Sequence, residues 1–426
     1  MKKYFNFSDL KGSIKLNAKE IGLLIYGIVL SSIISVISFI FLRLEGIGSE
    51  LLWNLVSPDN RFRVLYILGI TVIGGILLGF YRKRWGNLPH TVHDSVTELK
   101  QTKTLNYSSV FRSLWIALIV LIFGAGVGPE AGLLSAVIYF SVWQADKLRY
   151  YYFNYSELKG LSVQKRVAHL LNPQKYLLTY DEKRAVKERQ KSKKKFFYLL
   201  FIINGLATFF LLMKMTGQPS FVSKMGESNW IWRELWLGLP LIMFGVLFGK
   251  GYHLITNFLK KRLDFWQEFP IRKALIGSVA IFLIGIFLPN LLFSGQLSLS
   301  LAPFVGSHAS FLVLTMIALL KLLFLQICLN TGWIGGDIFP IVFSAIIQGF
   351  AVSQLFPQTD RLLIVAIVST SIAIAIIKAP FPVGLFMILF FPLNLSPIIL
   401  AVATILFVAK KIIADLTKKK TVDQTF

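Results

Sequence analysis

Long apolar stretches recur along this chain, and they leave few architectures open to it. The clearest cover residues 21–42, 64–80, 114–123, 196–212, 235–247, 274–291, 311–329, 362–377 and 397–409. A hydrocarbon core about 30 Å thick takes roughly 20 helical residues to cross, so several of these stretches reach across and others stop short. With 55% of its 426 residues hydrophobic and 15% charged, and a mean hydropathy of +0.65, the chain is more apolar than a soluble domain of this size. The sequence is therefore read as an all-α polytopic membrane protein and not as a soluble enzyme.

A formal net charge of +24 would fit a nucleic-acid binder, but the placement of the charge argues against one. Lysines and arginines gather at the two termini and in the stretch 146–195, which holds Lys183, Arg184, Lys187, Arg189, Lys191, Lys193, Lys194 and Lys195. By the positive-inside rule, the segment 1–20, the basic loop 146–195 and the tail 412–426 belong on the cytoplasmic side of the plasma membrane. They flank a first membrane half, 21–145, and the remaining membrane helices, 196–411, which include the second half. The N-terminal segment lacks the cleavage pattern of a signal peptide, so the first span is expected to stay in the mature protein. Cys328, the single cysteine, has no partner for an intrachain disulfide. His90, His93 and Asp94 offer too few ligands for a metal site, and no cofactor is expected.

Each half contains a glycine and proline break in apolar surroundings. The first reads Gly124, Ala125, Gly126, Val127, Gly128, Pro129, Glu130, and leads into a helical run, 132–143, expected to be too short to span. The second reads Gly332, Trp333, Ile334, Gly335, Gly336, Asp337, Ile338, Phe339, Pro340, and leads into a similar run, 341–352. Non-helical backbone at membrane depth is tolerated only where protein, water or an ion satisfies it. Glycine lets amides approach a ligand closely, and proline suits the first turn of a helix. Paired, short, glycine-interrupted segments in the two halves are the sequence pattern of an inverted-repeat transporter. Two helix N-termini, each carrying about half a positive charge, make an anion site with no full cation in it.

These residues resemble those of the CLC family, the voltage-gated chloride channels and their transporter relatives. The stretch Gly126, Val127, Gly128, Pro129 is similar to the family's Gly-Arg/Lys-Glu-Gly-Pro motif, and Gly335, Gly336, Asp337, Ile338, Phe339, Pro340 to its Gly-x-Phe-x-Pro motif. Trp85, Gly86, Asn87, Leu88, Pro89 falls where the family has Gly-Ser-Gly-Ile-Pro. Two further stretches, one from Gly245 to Gly249 and one from Lys378 to Pro382, also resemble family segments. The resemblance implies a homodimer of bacterial type, without cytoplasmic regulatory domains, whose two pores each bind chloride or another small anion between inverted halves. It implies that the amides of Ile338 and Phe339 face the anion, that Val127 and Gly128 lie near an outer gate, and that Gly86 or Asn87 stands where the family has serine. Asparagine at that place would be similar to the fluoride-selective branch.

Three departures bear on mechanism. The family's exchangers carry a gating glutamate at the place of Val127, which cannot hold a proton. Their internal glutamate falls in the region 204–215, which here offers Lys214 and Met215, and their central tyrosine has no counterpart after Tyr252. Nor is there a glutamate after Glu268. Since a coupled proton needs a carboxylate that changes charge, passive anion movement is expected over proton-coupled exchange. Glu130, in the first turn after the break, is either a displaced gate or a plain helix cap. Asp337 would repel an anion unless it points away or pairs with a base such as Lys378. It also admits a remote alternative, an intramembrane aspartyl protease, which would need a second embedded aspartate.

Overall fold

The structure is a computed structural model that describes residues 16–55, 61–86, 88–89, 92–181, 191–218, 222–263 and 269–423. Asn87, His90, Lys183, Arg184, Lys187 and Arg189 lie outside the described residues. Among the described residues sixteen α-helices follow one another: α1 (Ala18–Asn54), α2 (Arg63–Trp85), α3 (Val92–Thr102), α4 (Val110–Ile122), α5 (Glu130–Phe153), α6 (Tyr155–Gly160), α7 (Val163–Leu171), α8 (Lys191–Met215), α9 (Gly238–Leu263), α10 (Pro270–Phe287), α11 (Ala302–His308), α12 (Phe311–Asn330), α13 (Ile338–Ser353), α14 (Arg361–Ile377), α15 (Pro380–Ile388) and α16 (Ser396–Asp423). Among the described residues, seven helical segments are long and apolar enough to cross a bilayer, and α13 and α14 are shorter apolar helices. The protein is an all-α polytopic membrane protein.

Two compact units divide the chain, and they do not follow its two sequence halves. One gathers residues 1–47, 89–115 and 131–218, and the other residues 48–88, 116–130 and 219–426. In the first unit, Tyr26, Leu30, Leu148, Tyr151, Leu158, Phe197 and Phe201 form an apolar cluster shared by α1, α5, α6 and α8. Association of helices in lipid relies on close packing and polar contacts rather than on the hydrophobic effect, and both are present. Gly27 makes room for the Phe201 ring. The Ser35 hydroxyl donates to the Gly205 carbonyl at 2.7 Å, and Asn204 Nδ2 donates to the Ile28 carbonyl at 3.1 Å.

Helix α5 corrects the expectation of a short first-half helix followed by a loop from residue 146. It runs unbroken for 24 residues, about 36 Å at the helical rise. The reason is that its buried polar groups near the end are paired by protein instead of pulling the segment into water. Asp146 accepts from Tyr107 Oη at 3.2 Å and pairs with Arg149, while Lys147 Nζ donates to the carbonyls of Asn172 and Lys175. The second-half helix, α13, has 16 residues, about 24 Å, which is short of a full span as expected.

The second unit is built around α13 and α14, which are buried along almost their whole length. A helix apolar on every side belongs in an interior. Small residues set the helix spacing around them. Gly245 and Gly249 of α9 lie against Ser371 and Ala375 of α14, Gly349 of α13 against Val365, and Gly75 and Gly79 of α2 against Ser278 and Ile271 of α10. A polar tie holds the short 3-10 turn and bend after α10: Lys321 of α12, fully buried, donates from Nζ to the Leu291 carbonyl at 2.8 Å and to that of Phe293.

A methyl group added at Gly79 would stand 2.5 Å from the Ile271 Cα, a backbone atom that cannot rotate aside. Gly79→Ala is therefore expected to cost about 1–3 kcal/mol by overpacking. At Gly69, on the same helix, nothing lies within 4 Å of an added Cβ, so Gly69→Ala is expected to be near neutral. Thermal unfolding of the two variants in detergent compares them directly.

Candidate functional site

The two glycine-rich breaks meet in the second unit. Gly128 and Gly336 form an antiparallel bridge in which each amide donates to the other's carbonyl at 2.7 Å. Gly128 stands two residues before the first residue of α5, and Gly336 stands two residues before that of α13. Equivalent positions of the two motifs thus bind each other reciprocally, as a local two-fold arrangement requires. A backbone pair of this kind satisfies two polar groups that apolar surroundings would otherwise leave unmatched.

Sterics fix the approach. A Cβ on Gly335 would overlap the Val127 side chain, and one on Gly126 would meet the Phe324 ring at 2.5 Å. Val127 is fully buried. Gly124 and Gly332 adopt positive φ values of 84° and 97°, which turn the chain out of α4 and α12 at a conformation that glycine takes without strain. The Gly126 amide is held by the Cys328 thiol, with N···S 3.3 Å. Cys328, which the sequence offered only as a missing disulfide, is thus a support of the first break.

Glu130 opens α5 and turns its carboxylate across to α13. The Phe339 amide donates to Glu130 Oε1 at 3.1 Å, with the amides of Ile338 and of Glu130 itself close to the group. Among the described residues, Oε2 is buried without a hydrogen-bond partner. Free amides in the first turn of a helix carry partial positive charge, so a carboxylate is well placed there. The same seat suits any small anion, because what the amides recognise is a negative charge with lone pairs. Glycine at 128 and 336 leaves room for the carboxylate: a Cβ on either would overlap it.

The remaining sequence-derived residues fall out as follows. Gly128 spends its amide on Gly336, whereas Ile338 and Phe339 present theirs at the start of α13. Pro129 and Pro340 flank these helix starts. Asp337 is the residue preceding α13, is exposed, and makes no side-chain cap. Among the described residues no ion pair joins it to Lys378, whose carbonyl instead accepts from Lys410 Nζ at 3.0 Å. Asp360, the other aspartate weighed for a protease pair, caps α14 through Leu363 N at 2.8 Å and binds Ser228 Oγ at 2.8 Å. Gly86 ends α2 with φ 78° and donates its amide to the Arg82 carbonyl at 2.9 Å. Two polar residues escaped the sequence reading. Gln326 of α12 donates from Nε2 to Tyr252 Oη of α9, and that phenol lies within electrostatic reach of Asp337.

A family model described as voltage gated chloride channel matches residues 190–412. Among solved structures, a slow cyanobacterial Cl−/H+ antiporter is similar with a TM-score of 0.62 at 17% identity, covering 92% of this chain and 94% of that one. A CLC-type fluoride/proton antiporter is similar with a TM-score of 0.59 at 16% identity, covering 91% of this chain and 96% of that one. At such identities the likeness establishes the fold. No curated protein matches the chain.

Removing the clash partner tests the geometry. Gly336→Ala is expected to destabilise the protein by about 1–3 kcal/mol, because the new methyl displaces the Glu130 carboxylate. In a Glu130→Ala background the same substitution is expected to cost distinctly less. A double-mutant cycle on thermal unfolding measures that coupling.

Proposed function

The chain belongs to the voltage-gated chloride channel family, and from that premise we propose that it carries chloride or a similar small anion past the joined starts of α5 and α13, with Glu130 as the gate. The observation that carries this reading is the Phe339 amide on Glu130 Oε1, 3.1 Å apart. A negatively charged carboxylate and a halide compete for the same amides. While Glu130 is ionised it blocks the seat, and when it takes up a proton it loses the attraction that holds it there. The anion's ligands in the open state are the amides of Ile338 and Phe339, with Val127 and Gly128 shaping the wall beside them and Gly86 or Asn87 contributing from the start of the third motif. Dipoles and amides without a full cation give binding weak enough for release.

We propose uncoupled movement of the anion as the working mode. The place of the family's gating glutamate is Val127, and the last glutamate in the chain is Glu268. A second reading is proton-coupled exchange through Glu130, favoured by the unpartnered Oε2, which can accept a proton without breaking another bond. The two solved relatives, described as Cl−/H+ and fluoride/proton antiporters, lend that reading weight. In the cell the protein is proposed to act as a homodimer in the plasma membrane, with its N-terminus and basic stretch in the cytoplasm.

Purified protein in chloride-loaded liposomes, assayed with and without a proton ionophore, separates the modes. Uncoupled movement predicts efflux that builds no proton gradient, and a fixed ratio of protons to chloride would establish exchange instead. Because protonation releases the gate, efflux is expected to rise as pH falls. Glu130→Gln is expected to raise efflux at neutral pH and to flatten its pH dependence. A pH profile unchanged by that substitution would remove Glu130 as the gate. Repeating the assay with fluoride in place of chloride tests the fluoride-selective alternative.

A further inference from the structure

A gate that opens by taking up a proton needs a route for that proton, and Glu130 has none of its own. Its Oε2 is buried, and so are Val127, Gly128, Gly336 and Phe339 around it. Asp337 stands where such a route would begin. The Glu130 carboxylate lies against Gly336, where an added Cβ would overlap it, and takes the Phe339 amide at 3.1 Å, so its contacts bracket Asp337 in the chain. The two acids are within electrostatic reach of one another. Unlike Gly336 and Phe339, Asp337 is exposed. An ionisable side chain turned toward hydrocarbon is costly, so the open side of Asp337 is an aqueous one.

The usual reason for an aspartate just before a helix does not apply to it. Such a residue caps the helix through its side chain, and Asp337 makes no such bond to α13. Its charge also works against an anion at the neighbouring amides, unless a proton removes it. Among the described residues, the other ionisable groups brought to this place are less suited to carry a proton. Cys328 of α12 is fully buried behind Gly126, and Tyr252 of α9 is buried and bound by Gln326. Arg82 of α2 rests against Gly332, at the opening of the break, and a guanidinium does not give up its proton. The element α15 brings only the Phe386 ring to Phe339.

We propose that Asp337 is the proton carrier of the gate: its carboxyl takes a proton from the aqueous side, passes it through one water to Glu130 Oε2, and is left as a carboxylate ready to be protonated again. The inference rests on the reading of Glu130 as the gate. Proton transfer between side chains works within hydrogen-bond reach or across a single water, which the bracketed position of Asp337 allows. Acid then neutralises both carboxylates beside the amides of Ile338 and Phe339, and the halide meets neither charge.

The test uses the full chain in chloride-loaded liposomes with proton and potassium ionophores, and follows the onset of efflux after rapid mixing from neutral to acid pH. Asp337→Asn, which keeps the shape of the side chain but cannot carry a proton, is expected to slow that onset on the order of a hundredfold. Asp337→Glu is expected to restore it. The double variant Asp337→Asn/Glu130→Gln is expected to pass chloride at neutral pH as Glu130→Gln does, because its gate needs no proton. An onset in Asp337→Asn as fast as in the unaltered protein, with Glu130→Gln still flattening the pH profile, would overturn the carrier and leave the gate standing. A profile that Glu130→Gln does not alter would instead remove the gate, and the carrier with it. A silent double variant, or an onset as slow in Asp337→Glu as in Asp337→Asn, would mark Asp337 as a structural residue and overturn the proposal as well.

Discussion

A buried carboxylate oxygen held by the first amides of a helix is the contact on which the site depends. Burying a carboxylate costs several kcal/mol unless its charge is answered, and one hydrogen bond to a charged group returns only about 1.5–3 kcal/mol. The Phe339 amide alone therefore does not offset Glu130. Two helix starts do better, since α5 and α13 each present about half a positive charge and the Gly128–Gly336 bridge holds both at one point. The geometry that stabilises the carboxylate is the geometry that would stabilise a halide, so in the proposed mechanism the seat and its blocker are two uses of one field.

That field is only as precise as the helices that aim it. The start of α13 is fixed because the rest of the helix is buried on every side, against α12 and α14, with Gly349 bringing the α14 backbone close. The first break is fixed from behind by the Cys328 thiol on the Gly126 amide and by the Phe324 ring against Gly126. Interiors packed this closely resist small displacements, and a misplaced amide loses a hydrogen bond steeply with distance. Small residues in α2, α9, α13 and α14 therefore contribute to the site without touching it.

The breaks were legible in the sequence because glycine and proline act locally: positive φ at Gly124 and Gly332 and proline at a helix start are properties of single residues. The family resemblance added the amides of Ile338 and Phe339. Partners across the fold were not legible. Nothing local distinguishes Lys321, Gln326 or Cys328 from misplaced polar residues in an apolar helix, because an apolar pattern without periodicity does not say which side faces a neighbour. The length of α5 was hidden for a related reason. Asp146, Lys147 and Arg149 look like the start of a solvated loop until Tyr107, Asn172 and Lys175 are seen to satisfy two of them. The residues alone admit Glu130 as a cap or as a gate. It opens its own helix and also reaches across to a different one, a contact between elements far apart in the sequence.

Placing the acid on the helix rather than in the loop before it changes what gating can involve. In the proposed mechanism Glu130 is the first residue of α5, with its backbone in the helix. The break ahead of it is pinned by the reciprocal Gly128–Gly336 bonds, so moving the loop would break two backbone hydrogen bonds in apolar surroundings. Rotation of the side chain gives up the bond to Phe339 and the nearby amides of α5 and α13 but leaves the Gly128–Gly336 pair intact, and its torsions have other staggered positions available. The low-cost route to an open seat is thus a rotamer change of a neutralised glutamate with the backbone at rest. Gating of this kind couples the site to pH directly, through the acid's own proton, and leaves the two helix starts in register for the anion that replaces it.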